Sequence, residues 1–348
     1  MDLNHLQELL TGFRSASVAV FGDFFLDKYL TLEEALTEVS LETGLDAYQV
    51  VGRRCSPGAA GTVTNNLTAL EVGKVYAVGF TGEDGEGYEL RQGLDRTGAD
   101  STHLLTCADV ATPTYIKPML RNAAGVEREL NRLDIKNREP LAASLQERLL
   151  QELGDLLPQV QAVVIADQIA EPELGVVTDT VRAELSALAR SHPQVVFFAD
   201  SRACISRFRD VIIKPNKLEA ARSCGYEGEE EALTAADAAR FGAQIVARNN
   251  RPAFVTAGAE GIVVFEAGRS THIPGIPVSG PIDIVGAGDS TTAGIVSALC
   301  AGATLQEAAV MGNCVASLTI QQLGTTGTAK PQQVAQQFAD HAALYAAV

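Results

Sequence analysis

The sequence predicts an α/β fold with a doubly wound, mainly parallel sheet that is flanked by helices. Short apolar runs, rich in β-branched and aromatic residues, end in turn-forming or polar residues, as buried parallel strands do. The segments between them, such as 62–71 and 141–153, carry apolar residues at helical spacing. Strands that alternate with helices indicate βαβ units. The predicted strands are 17–23, 75–80, 162–167, 195–200, 211–216 and 253–258.

Two segments that interrupt this alternation predict a small β lid. Residues 29–55 are polar and mixed, with a strand predicted at 46–51, and residues 112–133 are predicted to form a hairpin with its turn near 122–125. Inserted segments that form a sheet over one edge of a core are typical of an enzyme that closes over its ligand. Two surface excursions without a function are the alternative. The predicted core comprises 1–28, 56–111 and 134–348.

The composition indicates a globular protein with a large core and disfavours several classes of partner. Hydrophobic residues make up 46% of the 348 residues, and charged residues make up 20%. A net charge of −16 repels phosphate backbones, so we expect no nucleic-acid partner. No apolar run approaches the roughly 20 residues of a membrane span, and the N-terminus lacks the pattern of a signal peptide. Six scattered cysteines without metal-ligand spacing suit a reducing compartment, so we expect a cytoplasmic protein without membrane association.

The segment 281–302 carries the candidate chemistry. Gly286, Ala287 and Gly288 directly precede an apolar helix. A glycine-rich turn at a helix N-terminus exposes backbone N–H groups, and the helix dipole adds to them, so the turn predicts an anion site. Asp289 stands beside it, where a carboxylate can take the proton of a hydroxyl that attacks a phosphoryl group. An ordinary helix cap is the alternative for Asp289.

Two other phosphate-binding motifs are absent from the sequence. No G-x-x-x-x-G-K-[ST] loop occurs anywhere in the chain. The dinucleotide fingerprint G-x-G-x-x-G fails at 286–291, because Thr291 stands where the third glycine is required. That fingerprint also belongs to the first βα turn of a fold, far from this segment. A dehydrogenase is therefore disfavoured.

Further motifs follow one another in a fixed order. They are V-F-G-D (20–23), S-P-G-A-A-G-T-V-T-N-N-L (56–67), V-G-F-T-G-E-D-G-E-G (78–87), K-P-N-K-L-E (214–219), V-T-A-G-A-E-G (255–261) and G-N-C-V-A-S-L (312–318). Together with I-D-I-V-G-A-G-D-S (282–290), they resemble the signature elements of the PfkB/ribokinase carbohydrate kinases over essentially the whole chain. Segments 129–134, 199–216 and 322–328 resemble most closely the heptose-7-phosphate kinases of that family.

The resemblance implies a ribokinase-like fold and an ATP-dependent sugar kinase. The γ-phosphoryl group would pass to a hydroxyl of a sugar or sugar phosphate, with heptose 7-phosphate as a candidate. Asp289 would be the base. The N–H groups of Ala287, Gly288 and Asp289, which follow Gly286, would hold the transferring phosphoryl group. The implied sugar-side residues are Asp23, Gly58, Ala59, Asn66, Arg53 and Asp283.

The nucleotide side is implied in the same way. Asn216 and Glu219 would arrange Mg²⁺, and Asp283 would orient its loop or help to hold a monovalent cation. The lid would pair two copies of the chain in a homodimer. The implied nucleotide-side residues are Lys214, Asn216, Thr256, Gly258, Gly261 and Asn313.

The sequence departs from the family pattern on the acceptor side. Thr62 stands where a sugar-contacting asparagine is usual, and 167–171 lacks the aromatic residue and the lysine of the heptose kinases. These departures leave two alternatives open, a non-catalytic sugar or nucleotide sensor on the same fold and a nucleoside kinase. Nucleosides usually stack on aromatic side chains, and this chain has no Trp and only 5% aromatic residues. A sugar is therefore the favoured acceptor.

Overall fold

The computed structural model describes residues 1–346, which contain two main sheets and ten α-helices. The strands are β1 (Ser17–Gly22), β2 (Phe24–Glu33), β3 (Glu38–Val39), β4 (Asp46–Ala47), β5 (Val50–Ala59), β6 (Lys74–Gly82), β7 (Leu104–Cys107), β8 (Thr114–Arg121), β9 (Glu127–Glu129), β10 (Leu133–Ile135), β11 (Ala162–Asp167), β12 (Val196–Ser201), β13 (Ile212–Ile213), β14 (Ala253–Thr256), β15 (Ile262–Glu266) and β16 (Arg269–Ile273). The helices are α1 (Leu3–Gly12), α2 (Ala60–Ala69), α3 (Gly85–Thr97), α4 (Ala143–Leu156), α5 (Asp179–Ser191), α6 (Lys217–Arg222), α7 (Ala235–Val246), α8 (Ala287–Cys300), α9 (Leu305–Thr319) and α10 (Pro331–His341). Among these helices, none combines the length and the apolar character that a membrane crossing requires.

The larger sheet has nine strands in the order β16-β15-β14-β13-β12-β11-β1-β6-β7. The seven strands from β14 to β7 are parallel, and β15 and β16 are antiparallel to their neighbours. Helices α1, α2, α8, α9 and α10 pack on one face, while α4, α5 and α7 pack on the other. The central strands are buried on both faces, so they read as continuous apolar runs. The predicted fold class is confirmed.

The six predicted strands all belong to the parallel part of this sheet. Five of them match within two residues at each end, and the strand predicted at 211–216 is regular only at Ile212–Ile213. The antiparallel pair β15 and β16 was not predicted from the sequence. A two-residue turn at 267–268, in which both residues have a positive φ, joins these two strands.

A second sheet of five strands lies beside the first, and we refer to it as the second sheet. Its order is β10-β8-β2-β5, with β9 paired to β8 in the predicted hairpin. Strand β2 follows β1 after Asp23 alone, and β5 leads directly into α2. The second sheet is therefore longer than the predicted segments 29–55 and 112–133. Strand β2 begins before the first segment, β5 ends after it, and β10 ends after the second. The role of this sheet as a lid stays a prediction.

Helix α8 fixes the position of the candidate site. Its residues Ser290–Ala298 are buried, and it packs on α2, α9 and β12. A Cβ atom at Gly294 would lie 3.1 Å from the Cα atom of Gly312, so the close approach of α8 and α9 requires small residues. Thr292 Oγ1 donates a hydrogen bond of 3.1 Å to Asp200, which lies near the carboxyl end of β12. These contacts hold the N-terminus of α8 at the carboxyl ends of the parallel strands, where ligands of open α/β sheets bind.

Candidate active site

A cleft of about 280 Å³ lies between the second sheet and the N-terminus of α8. The second sheet supplies one wall, and the loops that follow the strands of the larger sheet supply the other. The residues that line the cleft are Phe25, Asp27, Ala59, Thr62, Tyr115, Lys117, Arg132, Gln168, Arg202, Val285, Gly286, Asp289 and Thr326. Asp289, Gly286 and Ala59 are thus the sequence-predicted residues that meet in one cavity.

The N-terminus of α8 has no side-chain cap. Gly286 has φ 81° and ψ 4°, a left-handed conformation, and a Cβ atom there would lie 3.3 Å from a methyl carbon of Thr62. The N–H groups of Gly288 and Asp289 have no hydrogen-bond partner within residues 1–346. The N–H of Ala287 donates to Ile284 O at 3.1 Å, which corrects its predicted place in the anion site. Two free N–H groups and the helix dipole are therefore the features of this helix start that suit an anion, and anion binding here stays a prediction.

Asp289 lies partly exposed in the cleft, directly after these N–H groups. Burial of its carboxyl raises the pKa of Asp289 to about 7, and the nearby Asp200 carboxylate adds to the rise. The cations Lys214 and Arg202 oppose it. A carboxylate with a pKa near neutrality suits a general base at physiological pH.

Lys214 and Asp200 form a buried ion pair beside the start of α8. Their charged atoms lie 2.9 Å apart, and both side chains are nearly inaccessible to water. Lys214 Nζ lies 3.6 Å from the position that a Cβ atom on Gly288 would take. Burial alone would lower the pKa of Lys214, and the carboxylates of Asp200 and Glu219 raise it above its usual value. Lys214 therefore brings a fixed positive charge to the start of α8.

Asn216 and Glu219 form the capping box of α6. Asn216 Oδ1 accepts from Glu219 N at 2.7 Å, and Glu219 Oε2 accepts from Asn216 N at 2.8 Å. Glu219 Oε1 keeps no hydrogen-bond partner within the described chain. Burial raises the pKa of Glu219 to about 7, with Asp200 adding to the rise, so a nearby cation would favour its ionised form. One free carboxylate oxygen fits Mg²⁺, which keeps several waters and substrate phosphates as ligands.

The other predicted nucleotide-side residues lie in neighbouring loops of the larger sheet. Thr256 N donates to Pro215 O at 3.0 Å, next to Asn216. Gly258 and Gly261 have positive φ, and a Cβ atom at Gly261 would lie 2.2 Å from Ile273 O. The side-chain amide of Asn313 donates to Pro274 O at 2.9 Å, so it anchors that loop. Their role in nucleotide binding stays a prediction.

The predicted sugar ligands Asp23 and Asn66 lie outside the cleft. The carboxylate of Asp23 is buried and accepts three backbone N–H groups of another loop. Asn66 is fully buried one helical turn after Thr62, and its amide donates to Thr62 O at 3.0 Å. Asp27, which the sequence analysis did not single out, lies in the cleft instead. The spacing in β2 could have identified it, because residues 25, 27 and 29 share one face of a strand.

The remaining predicted sugar-side residues have different neighbours. Arg53 is 74% exposed at its side chain and faces Glu89 of α3, away from the cleft. Gly58 lies against Asp27, since a Cβ atom there would be 2.4 Å from Asp27 Oδ2. Asp283 lies outside the cleft, where its carboxylate accepts from the N–H groups of Val285 and Gly324, both at 3.0 Å. Asp283 therefore ties together the turn before Gly286 and the loop at Gly324. Its predicted place in the substrate site stays a prediction.

Three cations in the cleft were missed by the sequence analysis. Lys117 pairs with Asp27 at 2.9 Å, and the Arg132 guanidinium lies over the ring of Tyr115 at 4.4 Å and pairs with Asp134. The guanidinium of Arg202 makes no hydrogen bond or ion pair within residues 1–346. Lys117 and Arg132 lie in the predicted segment 112–133, and Arg202 lies 70 residues later, so only the fold brings the three cations together. The resemblance covered Arg132 and Arg202 through segments 129–134 and 199–216, but no role was assigned to either residue.

Comparison with known proteins identifies the family. The family model "pfkB family carbohydrate kinase" matches residues 20–332. The chain belongs to the pfkB family of carbohydrate kinases. The bifunctional protein HldE of Caulobacter sp. (strain K31) is 29% identical over 341 residues, which are 97% of this chain and 66% of that protein. The chain spans 62% to 66% of the length of the curated relatives it matches.

Solved structures of this pfkB chain's relatives agree in fold. Phosphofructokinase-2 from Escherichia coli in complex with potassium aligns with a TM-score of 0.70 and 16% identity, covering 94% of this chain and 99% of that one. Ribokinase from Arabidopsis thaliana complexed with ribose and ATP aligns with a TM-score of 0.67 and 18% identity, covering 92% of this chain and 98% of that one. The predicted family, the ribokinase-like fold and the class of carbohydrate kinase, a phosphotransferase, are confirmed.

Replacement of the candidate base tests the chemistry of the cleft. We expect Asp289→Asn to lower kcat by ~10²- to 10⁴-fold, because the amide cannot take the proton of the attacking hydroxyl. The dissociation constant for ATP, measured by calorimetry, should stay unchanged. Turnover of the variant within a few-fold of the wild type would remove Asp289 from the mechanism.

The pKa of Asp289 predicts the pH dependence of the reaction. The base acts in its ionised form, so activity rises with pH through about 7 and is lost as protonation proceeds below it. We expect kcat/KM for the acceptor to fall ~10-fold for each pH unit below that value. Initial rates at saturating ATP between roughly pH 5 and 9 give this profile. A flat profile across the acid half of the range would contradict the assignment.

Proposed function

We propose that this chain transfers the γ-phosphoryl group of ATP to a hydroxyl of a sugar that already carries a phosphate group. One observation carries the choice of acceptor. Arg202 lies in the cleft with Asp289 and has no carboxylate partner, while the protein as a whole has a net charge of −16. An unpaired guanidinium in an acidic protein favours a substrate that brings its own anion.

A side cavity supports this assignment. It has a volume of about 50 Å³ and shares Phe25, Tyr115, Gln168 and Arg202 with the cleft. Lys136 also lines this cavity and does not line the cleft. A sugar whose reacting hydroxyl lies at Asp289 would extend past Tyr115 and present its phosphate between Arg202 and Lys136. Heptose 7-phosphate, with its phosphate at the far end of the carbon chain, is the proposed acceptor.

The proposed transfer needs only groups in the cleft and the two substrates. Asp289 takes the proton of the acceptor hydroxyl while the oxygen of that hydroxyl forms a bond to the γ-phosphorus. The bond from that phosphorus to the β-γ bridging oxygen breaks, and ADP leaves. The N–H groups of Gly288 and Asp289 hold the equatorial oxygens, and Lys214 adds positive charge beside them. Positioning and charge stabilisation are the main contributions to such transfers.

The nucleotide side is proposed from the same elements. ATP would lie along the loops that carry Thr256, Gly258 and Gly261, with its phosphates directed to Lys214. Asn216 and Glu219 would hold Mg²⁺, which neutralises charge on the phosphates when it is bound. The carboxylate of Asp283 accepts two N–H groups, so it would serve a monovalent cation by ordering the loop beside it. Asp27 and Thr62 would contact hydroxyls of the sugar.

We also propose that two copies of the chain pair through the second sheet, in the cytoplasm. Strand β5 is an edge strand, and Val50 and Val51 on it are about half exposed. Val39, Leu41 and Leu45 of the preceding segment are mostly exposed as well. Exposed apolar edges of this kind are usually covered. Sedimentation equilibrium should give twice the mass of the chain, and a mass of one chain at micromolar concentration would contradict the pairing.

Removal of the unpaired guanidinium tests the acceptor. We expect Arg202→Ala to raise KM for a sugar phosphate by ~10- to 100-fold, because a charge-assisted hydrogen bond to the phosphate is lost. KM for the matching sugar without phosphate should change little. The measurement is ADP release from ATP and Mg²⁺ with each sugar of a panel and with its phosphate ester.

The chain provides a matched control for this variant. Arg53→Ala removes the same charge from a side chain that faces Glu89, so its KM values should equal those of the wild type. An equal loss for phosphorylated and unphosphorylated sugars in Arg202→Ala would contradict a phosphate subsite. Turnover with unphosphorylated sugars alone would show that the acceptor brings no phosphate.

A further inference from the structure

A loop without regular secondary structure forms one wall of the acceptor region. Residues 168–176 connect the end of β11 to the segment before α5. Gln168 of this loop lines the cleft, and Ile169, Ala170, Glu171 and Leu174 line the side cavity. The position of this loop therefore sets the width of the side cavity opposite Phe25 and Tyr115.

The two ends of this loop are tied to one buried carboxylate. Asp23 Oδ2 accepts hydrogen bonds from the N–H groups of Gln168 at 2.8 Å and Ile169 at 3.0 Å. Asp23 Oδ1 accepts a hydrogen bond from Val176 N at 2.7 Å. The side chain of Asp23 is nearly inaccessible to water, so these contacts are shielded from competition by solvent. A single carboxylate thus holds the first two residues and the last residue of the loop.

Asp23 also occupies a fixed place in the core. Its backbone N–H donates to Ala166 O in β11, and its carbonyl accepts from Ala60 N at the start of α2, both at 3.0 Å. The residue therefore sits between two parallel strands and the helix that leads from the second sheet. Because Asp23 is fixed in the core, its hydrogen bonds hold the loop, and with it the cavity wall, in a defined position.

Gly175 shows how closely the loop surrounds the carboxylate. A Cβ atom at Gly175 would lie 2.9 Å from Asp23 Oδ1, 3.2 Å from Asp23 Oδ2 and 3.1 Å from the Cβ atom of Ile169. Any larger residue would have to move the loop or the carboxylate. Glycine at this position is thus required by the contact with Asp23.

An ion pair and a backbone hydrogen bond restrain the middle of the loop, whereas Asp23 binds its two ends. Glu171 pairs with Lys136 at 2.9 Å across the side cavity, and both side chains are partly exposed. The carbonyl of Glu173 accepts from Leu141 N at 2.9 Å. An ion pair that is open to solvent contributes little to stability. The contacts of Asp23 are therefore the buried polar restraint on the two ends of the loop.

We propose that Asp23 is a positioning residue, which holds loop 168–176 at the distance from the second sheet that the acceptor requires. The inference rests on the proposed function, because it assigns the side cavity to the acceptor. Asp23 touches neither the acceptor nor the transferring group, and it acts on acceptor binding through the backbone of the loop. Its loss should weaken acceptor binding and spare the phosphoryl-transfer step, because the N-terminus of α8 lies outside the loop.

Two variants disturb the anchor from opposite sides. Asp23→Asn places an amide NH₂ group against backbone N–H groups. Gly175→Ala keeps the carboxylate but introduces a methyl group that clashes with it. For both we expect KM of the acceptor to rise ~10-fold or more, with KM of ATP unchanged and kcat within a few-fold of the wild type. Gly154→Ala is the control, because a Cβ atom at this helical glycine meets nothing within 4 Å. Its KM values should match those of the wild type.

Hydrogen exchange tests the anchor without an acceptor. Peptides that cover 167–177 should exchange faster in Asp23→Asn and Gly175→Ala than in the wild type, and peptides of β1 and β11 should not change. Unchanged exchange in this segment, or faster exchange with an unchanged acceptor KM, would overturn the proposal. A wild-type protein that phosphorylates no sugar would overturn the proposed function, and exchange would still decide whether Asp23 anchors the loop.

Discussion

The uncapped start of α8 is the constraint on which the rest of the site depends. Gly286 turns the chain in a left-handed conformation, and the N–H groups of Gly288 and Asp289 then have no partner within the described chain. Free N–H groups at a helix N-terminus favour an anion at this point, and the helix dipole adds to the attraction. The helix can begin there because its small residues allow close packing on α9, at the contact of Gly294 with Gly312.

The positive charges beside the start of α8 are local and fixed, which suits an anionic ligand in a protein with a net charge of −16. Lys214 is held by Asp200 beside the start of α8, and Arg202 stands in the cleft without a partner. At physiological ionic strength, charges more than roughly 8 Å apart in solvent are largely screened. The excess of surface carboxylates therefore has less effect in the cleft than the two nearby cations and the helix dipole. Burial raises the pKa of Asp289 toward neutrality, and the Asp200 carboxylate that holds Lys214 in place adds to the rise.

The sequence was sufficient for six strands in the parallel part of the larger sheet, because buried parallel strands are a local pattern. The glycine turn before α8 is also a local pattern, and its role as an anion site stays a prediction. The sequence did not show which of several nearby polar residues faces the cleft. Asp27 lies in the cleft and Asp23 in the core, four residues apart, since the chain passes from one sheet to the other between them. Arg53 faces away because neighbouring residues of a strand point to opposite faces. Thr62 precedes Asn66 by one helical turn, and only the structure shows which end of α2 meets the cleft.

The central claim is that the start of α8 holds the phosphoryl group during transfer. A crystal structure with MgADP, aluminium fluoride and a sugar phosphate tests it directly, because the fluoride mimics the transferring group. We expect fluorine atoms within about 2.7–3.1 Å of the backbone nitrogens of Gly288 and Asp289, with an acceptor hydroxyl beside the Asp289 carboxylate. Aluminium fluoride bound elsewhere in the cleft, with these two N–H groups directed at water, would contradict it.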